Sequence, residues 1–146
     1  MSIYIYIAKS VQTGYFITST KSDVAGQNVA TTDGNGSIPE GARLFFDKPL
    51  NPGNTTDVTI KGINGLYVAL PENATSGSKL VWSNDAVNWQ VDMTSPGVYE
   101  IIPKGQDLYW ITDKEPVVEV KDGKDIVENE NKWSLTRIDR EERTSA

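Results

Sequence analysis

A five-residue phrase occurs three times in this chain: TGYFI at residues 13–17, GLYVA at 65–69 and DLYWI at 107–111. Aligning Tyr15, Tyr67 and Tyr109 brings other features into step. A strand-like run begins nine or ten residues upstream each time, near Tyr6, Val58 and Tyr99. Downstream comes a third run, QNVAT, KLVWS and VVEV, and then a fourth: RLFFD at 43–47, NWQVD at 88–92 and KWSLT at 132–136. Phe45, Trp89 and Trp133 fall at matching places in that fourth run. Units repeated in this way bury their apolar faces only against one another, so the copies must fold together.

The local pattern says what the units are made of. Apolar and polar residues alternate over short stretches, Gly, Asn, Asp and Pro interrupt them every eight to twelve residues, and no 3.6-residue apolar period is sustained. That is an all-β signature. Three units of four strands, twelve in all, can close a barrel and cap one end of it, which is the outline of a β-trefoil. At 146 residues the chain can bury a core without disulfides or metals. The reading is one domain over residues 1–140, followed by a frayed tail at 141–146. Phe45, Trp89, Trp133 and Tyr109 are expected in the core. Trp82 and Trp110 are expected to be half-buried, with a face available to solvent.

Much chemistry is excluded by what is missing. There is no cysteine and no histidine, which removes thiolate chemistry, the commonest general base and the usual partner of a catalytic serine. Carboxylate pairs remain possible in principle, but no pair of acids stands out and no calcium-loop spacing occurs. An enzyme is therefore the least favoured class, and no metal or cofactor is expected. The net charge of −6 comes from 20 acidic and 14 basic residues, without a basic stripe, so nucleic-acid binding is disfavoured. MSIYIYIAKS reads as a first strand and not as a secretory leader, and no apolar run has transmembrane length. A soluble, cytoplasmic protein is the expectation, and the sequons at Asn54 and Asn73 are read as chance.

With the repeats laid out, the chain resembles the mushroom β-trefoil protease inhibitors of the cospin and cnispin type. The resemblance rests on Trp89-Gln90-Val91, VYEI at 98–101, YWI at 109–111, VVEV at 117–120 and the segment Asn131 to Arg137, together with TGYFI early in the chain. It implies a trypsin-like serine protease as partner and a defensive or regulatory role. Cospin-like members use the loop between the second and third strands. Here that loop is TKSDVAG, where Lys21 is the only basic residue and Lys21-Ser22 takes the place of a scissile bond, followed by Asp23. Cnispin-like members use the loop between the eleventh and twelfth strands, here KDGKDIVENEN with Lys121 and Lys124. The more distant mycocypins can use an asparagine between the fifth and sixth strands, which points to Asn64 in Asn64-Gly65. Asn-Gly is also the strongest signal for a type I′ hairpin, and the structural reading is preferred there.

The chemistry asked of Lys21 is simple. A trypsin-like specificity pocket ends in an acidic residue that a long cationic side chain satisfies. Inhibition also needs a loop already held in its bound shape, which lowers the entropic cost of binding. Asp23 and Gly26 are residues that supply turn hydrogen bonds and positive φ. The loop has neither proline nor disulfide to stiffen it, and an exposed loop lysine with no function is the plain alternative. The rival function is glycan binding. The Gln-x-Trp repeat of ricin-type lectins is absent, the three places reading LFF, NWQ and KWS, and Trp82-Ser83-Asn84-Asp85 is the best alternative sugar site. Because the tail DREERTSA offers no docking residue except Ala146, deleting residues 141–146 should leave the melting temperature unchanged. Thermal unfolding of the truncated chain checks this.

Overall fold

Alternating burial along short runs produces a nearly all-β chain. The computed structural model describes residues 4–51, 53–112 and 117–138. The tail expected to fray lies outside the described residues. Among the described residues thirteen strands occur: β1 Tyr4–Ser10, β2 Phe16–Thr18, β3 Ala30–Thr32, β4 Arg43–Phe46, β5 Thr56–Val58, β6 Ile60–Lys61, β7 Tyr67–Ala69, β8 Val81–Ser83, β9 Trp89–Ser95, β10 Val98–Pro103, β11 Leu108–Ile111, β12 Glu119–Asp122 and β13 Trp133–Arg137. β5 and β6 are one run broken at Thr59, whose N–H leaves the ladder for Asp47 Oδ1 at 2.8 Å. Counting that run once gives the twelve strands expected from the repeats.

Seven of these strands, six when β5 and β6 are counted as one, form the barrel in the order β5–β9–β10–β13–β1–β4–β6. The two halves of the broken run stand at the ends of that order, so the ring closes on itself. The joints between repeats differ in length. β13 runs beside β1 from Tyr6 opposite Arg137 to Ser10 opposite Trp133, whereas β4 meets β6 only at Phe45–Lys61 and Phe46–Ile60. Ile138 donates its N–H to Ile5 O, so the described ends of the chain lie together.

The remaining strands make three hairpins, β2–β3, β7–β8 and β11–β12, which cap the barrel. A ring of backbone bonds joins them. Val29 donates to Leu80 O at 3.0 Å, Leu80 to Val118 O at 2.9 Å and Val118 back to Val29 O at 3.3 Å. All three side chains are fully buried. This cyclic exchange marks the pseudo-threefold axis of a β-trefoil.

The register corrects part of the repeat alignment. Tyr6 pairs with Leu44, Val58 with Trp89 and Tyr99 with Trp133. Leu44, and not Phe45, is therefore the partner of Trp89 and Trp133 in the repeat, and Phe45 is only half-buried. In the hairpins Ile17 lies opposite Thr31, Val68 opposite Trp82 and Trp110 opposite Val120. The equivalent of Tyr67 and Tyr109 is thus Phe16, one residue after Tyr15, and Tyr109 is half-buried, not core. Strand side chains have a period of two, so a shift of one residue exchanges the inner for the outer face. Trp82 and Trp110, expected to keep a face in solvent, are 1% and 0% exposed. They occupy the inward positions of their hairpins.

The large rings pack as a set. Trp110 meets Trp89 edge-on at 4.9 Å and Trp133 edge-on at 6.2 Å between centroids. Two indoles also tie barrel to cap: Trp89 Nε1 donates to Val68 O and Trp133 Nε1 to Trp110 O, both at 2.9 Å. Leu44 stands at the third equivalent place and has no N–H to offer. Trp133→Ala removes the ring and leaves the Trp110 carbonyl without this donor. A loss of about 3–5 kcal/mol is expected from the denaturant midpoint and slope.

Candidate functional site

The loop after β2 is built from two consecutive turns sharing one carboxylate. Asp23 donates its N–H to Thr20 O at 3.2 Å, closing a turn with Lys21 and Ser22 at its centre. Its side chain then gathers the surrounding donors. Oδ2 accepts from Thr20 N at 2.8 Å and from Asn64 Nδ2 at 3.0 Å. Oδ1 accepts from Thr20 Oγ1 at 3.0 Å and from Gln27 Nε2 at 3.1 Å. In the second turn Gln27 N donates to Val24 O at 3.1 Å, while Gln27 Oε1 accepts from Val24 N at 3.2 Å. Gly26, at φ +94°, passes its N–H to Trp82 O at 2.8 Å. A short Asp side chain reaching back two or three residues is what makes this residue a turn former.

The base of the loop is held as closely. Ser19 is buried, its N–H donates to Gly41 O at 2.9 Å, and its Oγ accepts from Ile63 N at 3.2 Å. A Cβ on Gly41 would lie 2.1 Å from Ser19 O, so only glycine allows this approach. Outside this frame Lys21, Ser22 and Val24 are exposed, Val24 by 63%. The three residues expected at the protease contact thus lie together, two facing solvent and Asp23 turned inward as their support.

Asn64 comes from the neighbouring turn between β6 and β7. Gly62 N donates to Leu66 O at 3.0 Å and Gly65 N to Gly62 O at 3.1 Å. Gly65 carries the positive φ of +79°, whereas Asn64 has no positive φ. The turn is therefore not type I′. It is a three-residue loop with glycine in the left-handed position, the next commonest hairpin solution. Asn64 Oδ1 accepts from Leu66 N at 2.8 Å while Nδ2 reaches Asp23. Both ends of its amide are occupied.

The late loop divides its two lysines. Lys121 Nζ is 2.7 Å from Glu130 Oε2, and Glu130 is buried and also accepts from Val127 N at 2.9 Å. Lys124 is exposed on a short 3-10 turn, Gly123–Asp125, and its own N–H donates to Asp122 Oδ1 at 3.1 Å. The Trp82-Ser83-Asn84-Asp85 stretch brings no aromatic to the surface, because Trp82 is buried. Among the described residues no helix is long and apolar enough to cross a membrane.

Solved structures provide the outside comparison. A ricin B-like lectin from Macrolepiota procera, determined with lactose, is 15% identical, with a TM-score of 0.70 over 92% of this chain and 95% of that one. The agglutinin of Rhizoctonia solani is 18% identical, with a TM-score of 0.71 over 94% and 97%. A proteinase inhibitor from Coprinopsis cinerea is 13% identical, with a TM-score of 0.63 over 94% and 99%. The shared fold is the β-trefoil. At these identities the likeness speaks for the fold alone, and that fold serves lectins and an inhibitor alike. No protein-family model matches the chain, and no curated protein does.

Sequence reasoning named Asp23 and Asn64 separately and missed that they bond to each other. Burial alone would raise the Asp23 carboxyl, but the hydrogen bonds from the Thr20 amide, Asn64, the Thr20 hydroxyl and Gln27 outweigh it and hold the pKa below its ordinary value. A carboxyl lowered in the folded state stabilises the loop above the ordinary aspartate pKa of about 3.9, and that support is lost as pH falls through the lower, folded value. Side-chain NMR should find the Asp23 midpoint below about 3.9, with protection of the Thr20 amide lost only under acid conditions.

Proposed function

We propose that this protein is a protease inhibitor that presents Lys21 to the specificity pocket of a trypsin-like serine protease. The observation that carries the reading is the loop itself. One exposed cation stands at the apex of a turn whose support converges on a single carboxylate. A loop without proline or disulfide can be stiffened by such bonds, and stiffness is what separates an inhibitor from a substrate. The bonds to Asp23 hold the turn about the Lys21–Ser22 bond in one shape before any partner arrives.

The other candidates have less to offer a protease. Lys121 is engaged by Glu130, and the Asn64 amide is committed within the fold. Lys124 is free to be tested as the anchor of the late loop. The Coprinopsis inhibitor has the same fold, and so do the lectins. A glycan-binding role draws on that fold alone, since all four tryptophans are buried.

Trypsin assayed with excess protein tests the reading. Lys21→Ala and Lys21→Glu remove the cation, and Glu adds a charge of the wrong sign. A central anchor is commonly worth at least ~2 kcal/mol, so inhibition should weaken by roughly thirtyfold or more, with the melting temperature unchanged. Full inhibition by the Lys21 variants together with loss on Lys124→Ala would move the site to the late loop. Failure of the parent to inhibit, with binding on a glycan array, would replace the reading by the lectin one.

A further inference from the structure

The loop that carries Lys21 is braced from another repeat. We propose that Asn64 is a positioning residue for the Lys21 loop: its amide, fixed in direction by its own turn, holds Asp23 and through it the shape in which Lys21 is presented. The inference rests on the inhibitor reading for its purpose, though not for its geometry. Asn64 and Asp23 lie 41 residues apart in sequence and 3.0 Å apart in space.

The direction of the amide follows from its partners. Leu66 N–H can only donate, so it requires the Asn64 oxygen, which it meets at 2.8 Å. A carboxylate can only accept, so it requires the nitrogen. One orientation satisfies both, and it aims Nδ2 at Asp23 Oδ2. The same oxygen accepts from the Thr20 amide, the first N–H of the Lys21 turn. Asn64 therefore acts at one remove from Lys21, through an atom that defines the turn. The second contact between these loops, Ile63 N to Ser19 Oγ at 3.2 Å, steadies the base of the loop and not its apex. Without Asn64 the apex is closed only by bonds from within its own ten residues, Ser19 to Asn28, and from Trp82 behind Gly26.

Substitutions can separate the two jobs of this side chain. Asn64→Asp keeps an oxygen for Leu66 but sets a second carboxylate against Asp23. Asn64→Ser also keeps an oxygen for Leu66 and is too short to reach Asp23. A double-mutant cycle of Asp23→Ala with Asn64→Ser tests whether Asn64 acts through Asp23: once Asp23 is gone, removing Asn64 should add little, which a merely structural turn residue would not show. The readouts are amide hydrogen exchange at Thr20 and Leu66 by NMR, and trypsin inhibition, all on the full chain.

Asn64→Asp and Asn64→Ser should speed Thr20 exchange by about tenfold or more, leave Leu66 protected, and weaken inhibition by a similar factor. In the double variant Asp23→Ala/Asn64→Ser the loss of Thr20 protection should fall well short of the sum of the two single losses, and full additivity would overturn the inference. Lys21→Ala should weaken inhibition by roughly thirtyfold or more with Thr20 exchange unchanged. Parent-like inhibition and exchange in both single variants would overturn the inference while the inhibitor reading stood. Faster exchange with undiminished inhibition would overturn it too, since the brace would then not serve the contact. If the parent never inhibits trypsin, the inhibitor reading falls alone, and Thr20 exchange still decides whether Asn64 holds the loop.

Discussion

Three backbone hydrogen bonds, passed in a circle from Val29 to Leu80 to Val118 and back to Val29, organise everything else in this molecule. A two-stranded hairpin is marginal in water by itself. Here each hairpin donates to the next and accepts from the last, so none of the three can dock without the others. The indoles of Trp89 and Trp133 then carry the order of the cap into the barrel, through carbonyls of the hairpins above them. The core is therefore a single cooperative unit, although its chain was assembled from repeats.

What the scaffold supplies to function is a set of loops whose ends are already fixed. The Lys21 loop begins at a buried serine pressed against Gly41 and returns through the backbone of Trp82. Between those anchors the residues are free to serve a partner, because the core asks nothing of the exposed side chains. Lys21 and Val24 point outward at little cost, whereas Asp23 spends its whole carboxylate inside the loop. The division between presenting and supporting residues falls within one stretch of five.

The fold was legible in the sequence because repeated strands repeat their apolar pattern. One position in the first strand of each unit, Tyr6, Val58 and Tyr99, is equivalent in space as it was in the alignment. The misreadings sit where two aromatics adjoin. Phe45 adjoins Phe46 and Tyr15 adjoins Phe16, and the register fell one residue away from the ring chosen: Leu44 and Phe46 face inward on either side of Phe45, and Ile17 faces inward beside Phe16. Trp82 and Trp110 misled for a related reason, since Trp82 follows Val81 and Trp110 lies between Tyr109 and Ile111, and adjacent apolar residues leave the alternation open to either face. The support of the candidate site was not legible at all. No local pattern links Asp23 to Asn64, because their meeting depends on how the first repeat is set beside the second.

That setting gives the pair a second meaning. Of the three joints between repeats the shortest lies between the first and second, where β4 meets β6 only through Phe45–Lys61 and Phe46–Ile60 and the ladder then breaks at Thr59. The Asp23–Asn64 bond joins loops of those same two repeats. A side-chain bond at the rim thus works as a clasp over the shortest joint between repeats. Mechanical load applied to Lys21 by a bound partner would be carried across that seam into the body of the protein, and would not be spent in bending the loop.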